Sequence, residues 1–325
     1  MQSSWQSICE DKGWRKCDSP NICQFVVDKT DNMEYVRSDE GEETIVMKYD
    51  SFEIAAEGQV TGPVSLHAYL LDSISVAPEK KRPAVIVCEG GGYAFRSDRE
   101  GEPVVMQFLA MGYHGFLLDY SVAPNRFPTA LQELASAVAL VRDHAEEWNV
   151  DPNKILVCGF SAAGHLCCSL GVYWNQEFVY GPIGRTKEEI RPDGMILCYP
   201  VITSGIFAHE GSFKCLLGDD ALLGDRGENR PEREKQVSLD LQVTDQTVKA
   251  FVWHTYEDQS VPLENSLLLV NALRKHNIQF EYHVFPKGPH GSSLANEETS
   301  GVRTEMVIPS AQPWIKLAGT WIEGL

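Results

Sequence analysis

The chain has 325 residues, 43% of them hydrophobic, enough to bury an apolar core without disulfides or metals. With 46 acidic against 28 basic residues, its formal net charge of −18 argues against a nucleic-acid partner, which would need clustered Lys and Arg, and against anionic membranes. No run of 18 apolar residues occurs, and the N-terminus lacks the basic-then-apolar pattern of a signal peptide, so the expectation is a cytoplasmic protein with no membrane partner. Nine cysteines, an odd number, fit a reducing compartment; Cys9, Cys17 and Cys23 lack the spacing of a zinc site.

In chain order, residues 1–43 are polar and acidic, with Trp5 and Trp14 as anchors, and read as an irregular N-terminal arm. Residues 44–325 read as one domain. From 44 to 71 apolar and polar residues alternate (Ile45, Met47, Tyr49, then Val64, Leu66, Ala68, Leu70). That period predicts antiparallel N-terminal strands. The texture then changes to short continuous apolar runs at 84–88, 115–118, 155–158, 195–198, 251–253 and 280–285, as in strands buried on both faces. Between them lie helical patterns, such as Leu131, Leu134, Ala135, Val138, Val141 and Ala145 after Pro128. Alternating strands and helices imply an α/β fold with a doubly wound, mostly parallel sheet, whose function gathers at the carboxyl ends of the strands. A polar insertion near 203–248, with a short apolar cluster at 213–217, reads as a small partial cover over that end.

Three loops at strand ends carry the chemistry. After the run 155–158 comes Gly159-Phe160-Ser161-Ala162-Ala163-Gly164-His165. A serine on a sharp strand-to-helix turn holds its hydroxyl above the sheet. The strict G-x-S-x-G pattern is relaxed here, with Ala163 at its last position and Gly164 one place later. Glu89-Gly90-Gly91-Gly92-Tyr93 follows the run 84–88, and its backbone can turn N–H groups towards an oxyanion. Asp258 lies after the run 251–253, and His290 sits between turn residues after the last strand. Ser161, Asp258 and His290 are therefore the expected catalytic triad, with Gly91, Gly92 and Ala162 as oxyanion donors. Glu257 competes with Asp258 for the acid. His254 and His165 read as packed histidines. Tyr93, Phe95, Tyr120 and His209 are candidates to contact substrate.

At these residues the sequence resembles bacterial α/β-hydrolases of the acetylxylan esterase type, within the wider esterase/lipase superfamily. The likeness runs from about Pro83 to the C-terminus. It includes Gly90-Gly91-Gly92-Tyr93-Ala94-Phe95, Asp119-Tyr120-Ser121-Val122-Ala123-Pro124, Cys198-Tyr199-Pro200-Val201-Ile202 and Asp258-Gln259-Ser260-Val261-Pro262. The resemblance implies an α/β-hydrolase fold and removal of acetyl groups from xylan or its oligosaccharides, with a small neutral ester or acetylated oligosaccharide as partner. A homo-oligomer is compatible with it, and no cofactor is expected. Many such enzymes carry proline or histidine before the glycine run. Glu89 stands there in this chain, and it must turn from the oxyanion towards a cation or polar partner, or stay protonated. Two other functions share these signals: a serine peptidase of the prolyl-oligopeptidase type, and a non-catalytic ligand receptor on a hydrolase scaffold.

Overall fold

The computed structural model describes residues 47–218 and 231–325, together with a short antiparallel pair, Val26–Val27 with Met33–Glu34. The chain divides into two compact units, Met1–Glu42 and Glu43–Leu325. The readings made on residues 1–25, among them Cys9, Cys17, Cys23, Trp5 and Trp14, lie outside the described residues, as does the middle of the 203–248 insertion.

The second unit is built on strands β1 (Met47–Ile54), β2 (Val64–Leu71), β3 (Arg82–Cys88), β4 (His114–Leu118), β5 (Val150–Phe160), β6 (Gly194–Cys198), β7 (Ala250–Thr255) and β8 (Phe280–Phe285). They lie side by side in the order β1-β2-β4-β3-β5-β6-β7-β8. The pairs β1·β2 and β2·β4 are antiparallel, and every pair from β4 to β8 is parallel. This is the α/β-hydrolase sheet, with its antiparallel strands at the N-terminal end.

The continuous apolar runs have a direct explanation in this sheet. Successive side chains of a strand point to opposite faces, and both faces are covered. Ala84, Ile86, Val157, Leu197 and Val252 enter one apolar layer, beneath helices α2 (Thr129–Asp143), α3 (Ala162–Tyr173) and α5 (Glu264–Lys275). Their neighbours Val85, Val87, Leu156, Ile196 and Phe251 enter a second layer, beneath α1 (Glu102–Ala110) and α6 (Trp314–Glu323). In that layer Trp253 and Trp314 stack with ring centroids 5.3 Å apart. Burying each Val, Leu, Ile or Phe of these layers contributes about 1.5–3 kcal/mol. Strand β8 departs from the expectation of two buried faces. It has a single neighbour, β7, and its residues are only partly covered.

The insertion forms helix α4 (Glu210–Leu217), a short helix Glu232–Gln236 and a 3-10 turn Leu239–Leu241. Phe213, Leu216 and Leu217 of α4 are buried against the first layer, which fixes this segment beside the carboxyl ends of the strands. No described helix is long and apolar enough to cross a membrane.

Candidate active site

Ser161 occupies the turn between β5 and α3 with φ +54° and ψ −116°, a backbone conformation that a non-glycine residue holds at a cost of roughly 1–3 kcal/mol. The end of β6 and the loop after it secure it: its N–H donates to Cys198 O at 2.9 Å, and its carbonyl accepts from Val201 N at 3.0 Å. The turn is crowded. A Cβ on Gly159 would fall 2.1 Å from Ala163 O, and one on Gly164 would fall 2.7 Å from Pro200 Cβ. The steric demand for glycine thus sits at 159 and 164, while Ala163, although fully buried, carries its methyl group without displacing the turn. That is the physical content of the relaxed motif.

The hydroxyl of Ser161 lies 2.7 Å from Nε2 of His290, and Nδ1 of His290 lies 2.6 Å from Asp258 Oδ2. A carboxylate facing Nδ1 requires the proton on that nitrogen, which leaves Nε2 to accept from the serine. The other oxygen of Asp258 accepts from the N–H groups of Ser260 and Val261, each at 2.9 Å. Burial on its own would raise the Asp258 pKa. Hydrogen bonds from His254 and His290 outweigh it and hold the carboxyl well below the usual carboxylate range. Glu257 is excluded from this role, because its carboxylate is exposed and paired with Lys287 at 2.8 Å.

Beside the serine, Gly90 packs against the elbow: a Cβ there would meet Ser161 Cβ at 3.1 Å. Gly91 and Gly92 take φ +131° and +66°, which turns the loop back over the site. Among the described residues, the N–H groups of Gly91, Gly92 and Ala162 make no hydrogen bond, while that of Gly90 is engaged by Glu100. The cavity in front of Ser161 holds about 410 Å3, and its walls include Gly91, Gly92, Phe95, His209, Cys215 and His290. Phe95 is 61% exposed. Nδ1 of His209 accepts from the Ser212 backbone N–H at 3.3 Å, so this ring also caps α4, and burial followed by the nearby His290 lowers its pKa.

Two expected substrate contacts need correction. Tyr93 and Tyr120 are buried in the first apolar layer and do not line the cavity. The Tyr93 hydroxyl meets His165 Nδ1 at 3.0 Å, and the Tyr120 hydroxyl donates to Glu89 O at 2.6 Å. Both rings support the glycine loop from below. Their hydroxyls had polar partners inside the protein, which aromatic residues near a glycine run do not disclose in sequence.

Glu89 turns from the serine. Its carboxylate packs against Gly101, with Arg96 Nε at 3.8 Å, and lines a separate cavity together with His67, Tyr69 and Arg99. Burial, then the neighbouring Asp119, pushes its pKa up to about 7 against the opposing pull of Arg96.

Three residues at the site were not singled out as functional from sequence. His254, read as a packed histidine, is buried and also reaches Asp258. Glu100 and Tyr199 are buried beside the serine and hydrogen-bonded to each other at 2.6 Å. A buried acid two turns beyond a glycine loop leaves no periodic signal.

With this geometry the chain compares closely with known proteins. The BD-FAE family model matches residues 73–273. The chain belongs to the BD-FAE family. It is 38% identical over 240 residues to endo-1,4-beta-xylanase B of Butyrivibrio fibrisolvens, covering 72% of this chain and 35% of that protein. It is 27% identical over 212 residues to an acetylxylan esterase of Xylanibacter ruminicola, covering 64% of this chain and 40% of that protein. The chain therefore spans about two fifths or less of the length of these curated relatives. Among solved structures, an acetyl ester-xyloside bifunctional hydrolase from Caldicellulosiruptor lactoaceticus superposes with a TM-score of 0.67 at 38% identity. The match covers 81% of this BD-FAE chain and 89% of that one.

Proposed function

We propose that this BD-FAE protein is a serine carboxylic-ester hydrolase that removes short acyl groups, acetyl foremost, from xylan-derived oligosaccharides. The observation that carries the reading is the hydrogen-bonded chain Ser161 Oγ, His290 and Asp258, at 2.7 and 2.6 Å, facing a cavity lined by Gly91 and Gly92, whose backbone N–H groups are unengaged. The xylan-directed names of the relatives support the choice of alcohol.

His290 takes the proton of Ser161 as the serine oxygen attacks the ester carbonyl. Asp258 keeps Nδ1 of His290 protonated and stabilises the imidazolium that forms. The carbonyl oxygen, now an oxyanion, accepts hydrogen bonds from Ala162 N–H and from Gly91 or Gly92; each such donor accounts for roughly 10²–10³ in rate. The sugar hydroxyl leaves with the proton from His290. Water then gives its proton to His290 and attacks the acyl-enzyme, and the carboxylic acid departs as Ser161 is reprotonated. This sequence uses no metal or organic cofactor.

The test is release of acetate from acetylated xylo-oligosaccharides, set beside hydrolysis of p-nitrophenyl acetate and p-nitrophenyl octanoate. The reading expects turnover of the acetyl substrates well above that of the octanoate. Turnover of the octanoate ester or of a peptide amide alone overturns it.

A further inference from the structure

Glu100 ends a 3-10 turn, Asp98–Glu100, and is 2% exposed. An ionised carboxylate so deep costs several kcal/mol unless donors surround it. Here both oxygens are served, and by different loops. Oε2 accepts from Gly90 N–H at 2.9 Å, in the glycine loop, and Oε1 accepts from the Tyr199 hydroxyl at 2.6 Å. The Tyr199 oxygen in turn accepts from Ser293 N–H at 2.9 Å, in the loop that carries His290. Tyr199 also sets its ring edge-on to the His290 imidazole, with centroids 5.1 Å apart. The residue before Glu100 repeats the link: Arg99 donates to Gly291 O at 3.1 Å, and Arg99 O accepts from the Ser293 hydroxyl at 2.6 Å.

We propose that Glu100 is a positioning residue: with Tyr199 it ties the Gly90–Gly91–Gly92 loop to the His290 loop, so that oxyanion donors and general base keep one spacing across Ser161. The inference rests on the serine-hydrolase reading of the same site. It also accounts for the presence of a buried acid here. Two donors from separate loops need two acceptors on one rigid group, and a carboxylate supplies them. Glutamine has one acceptor oxygen, so Glu100→Gln must leave Gly90 N–H or the Tyr199 hydroxyl without its acceptor. Tyr199→Phe cuts the same link from the other side.

The test compares wild type, Glu100→Gln, Tyr199→Phe and the double variant for kcat and KM on p-nitrophenyl acetate. The same proteins are tested for inhibition by phenylboronic acid, which forms a tetrahedral adduct on the serine, with thermal melting as the check on folding. A spacing error of about an ångström costs on the order of 10²-fold in rate. The expected result is therefore a 10- to 100-fold loss of kcat in each single variant, with KM within about threefold and boronate affinity reduced in step with kcat. The double variant should be no worse than the poorer single one, because both cut one connection. Losses that multiply in the double variant overturn the proposal, as do single variants with kcat and boronate affinity within threefold of wild type at any melting temperature. The reading of the site fails separately, on a wild-type protein without Ser161-dependent turnover.

Discussion

Nε2 of His254 lies 3.2 Å from Oδ2 of Asp258, the same oxygen that His290 engages at 2.6 Å. The proton must sit on that Nε2, because Val261 O also faces it at 3.0 Å, while Nδ1 accepts from the Ser266 hydroxyl at 2.7 Å. Two imidazoles thus share one carboxylate, one of them hydrogen-bonded to the serine and the other holding the acid in place.

His254→Ala should therefore act on both stability and rate. It leaves the Ser266 hydroxyl and one Asp258 contact without partners in a fully buried site, which costs about 2–4 kcal/mol in urea unfolding. The kcat should fall by about tenfold, far less than for His290→Ala, because Asp258 keeps its two backbone donors. A drop in kcat equal to that of His290→Ala would contradict this division of labour.

Asp258→Asn should cost on the order of 10⁴ in kcat. The amide can present its NH2 to Nδ1 and favour the wrong imidazole tautomer. Steady-state kinetics across pH give the check. Asp258 has a depressed pKa, so the stability it contributes is present above the unfolded value of about 3.9 and is lost as pH falls through the lower folded value.

Glu89 has the opposite linkage. Its folded pKa, about 7, lies above that of the unfolded chain, so the folded state binds the extra proton between roughly pH 4.5 and 7. Stability at this residue falls as pH rises through that window. Glu89→Gln should raise unfolding stability at pH 8 by about 1–3 kcal/mol and change it little at pH 5. Urea denaturation at both pH values tests this, and an equal effect at both would count against a buried, proton-binding Glu89.

Ala163→Gly restores the strict elbow pattern and should change kcat by less than about threefold, since the methyl group at 163 already fits. Gly159→Ala should destabilise by more than 2 kcal/mol or prevent folding, because its Cβ would sit 2.1 Å from Ala163 O. Expression level and melting temperature of the two variants decide the point.

Much of this architecture was legible in the residues. Apolar runs such as 84–88 and 195–198 read as strands with two covered faces, and the alternation with helical stretches led to the parallel sheet. The loops bearing Ser161, Asp258 and His290 stood at three strand ends, where that topology brings loops together, and the geometry places the three side chains within hydrogen-bonding distance. What stayed hidden depends on depth. Tyr93 and Tyr120 look like cavity aromatics until their hydroxyls are seen to have internal partners. Glu100 and Tyr199, 99 residues apart, form a bond that no local pattern encodes. His254 lies inside a strand, where its contact with Asp258 depends on the turn that follows.

A nucleophilic Ser161 activated by His290 should react covalently with an electrophile that mimics the ester. The most direct measurement is intact mass after exposure to a fluorophosphonate, for wild type, Ser161→Ala and His290→Ala. The expected result is one covalent adduct on wild type, mapped to Ser161 by peptide sequencing, none on Ser161→Ala, and labelling slowed by several orders of magnitude in His290→Ala. Equal labelling of wild type and Ser161→Ala, or no labelling of a folded wild-type protein, would contradict it.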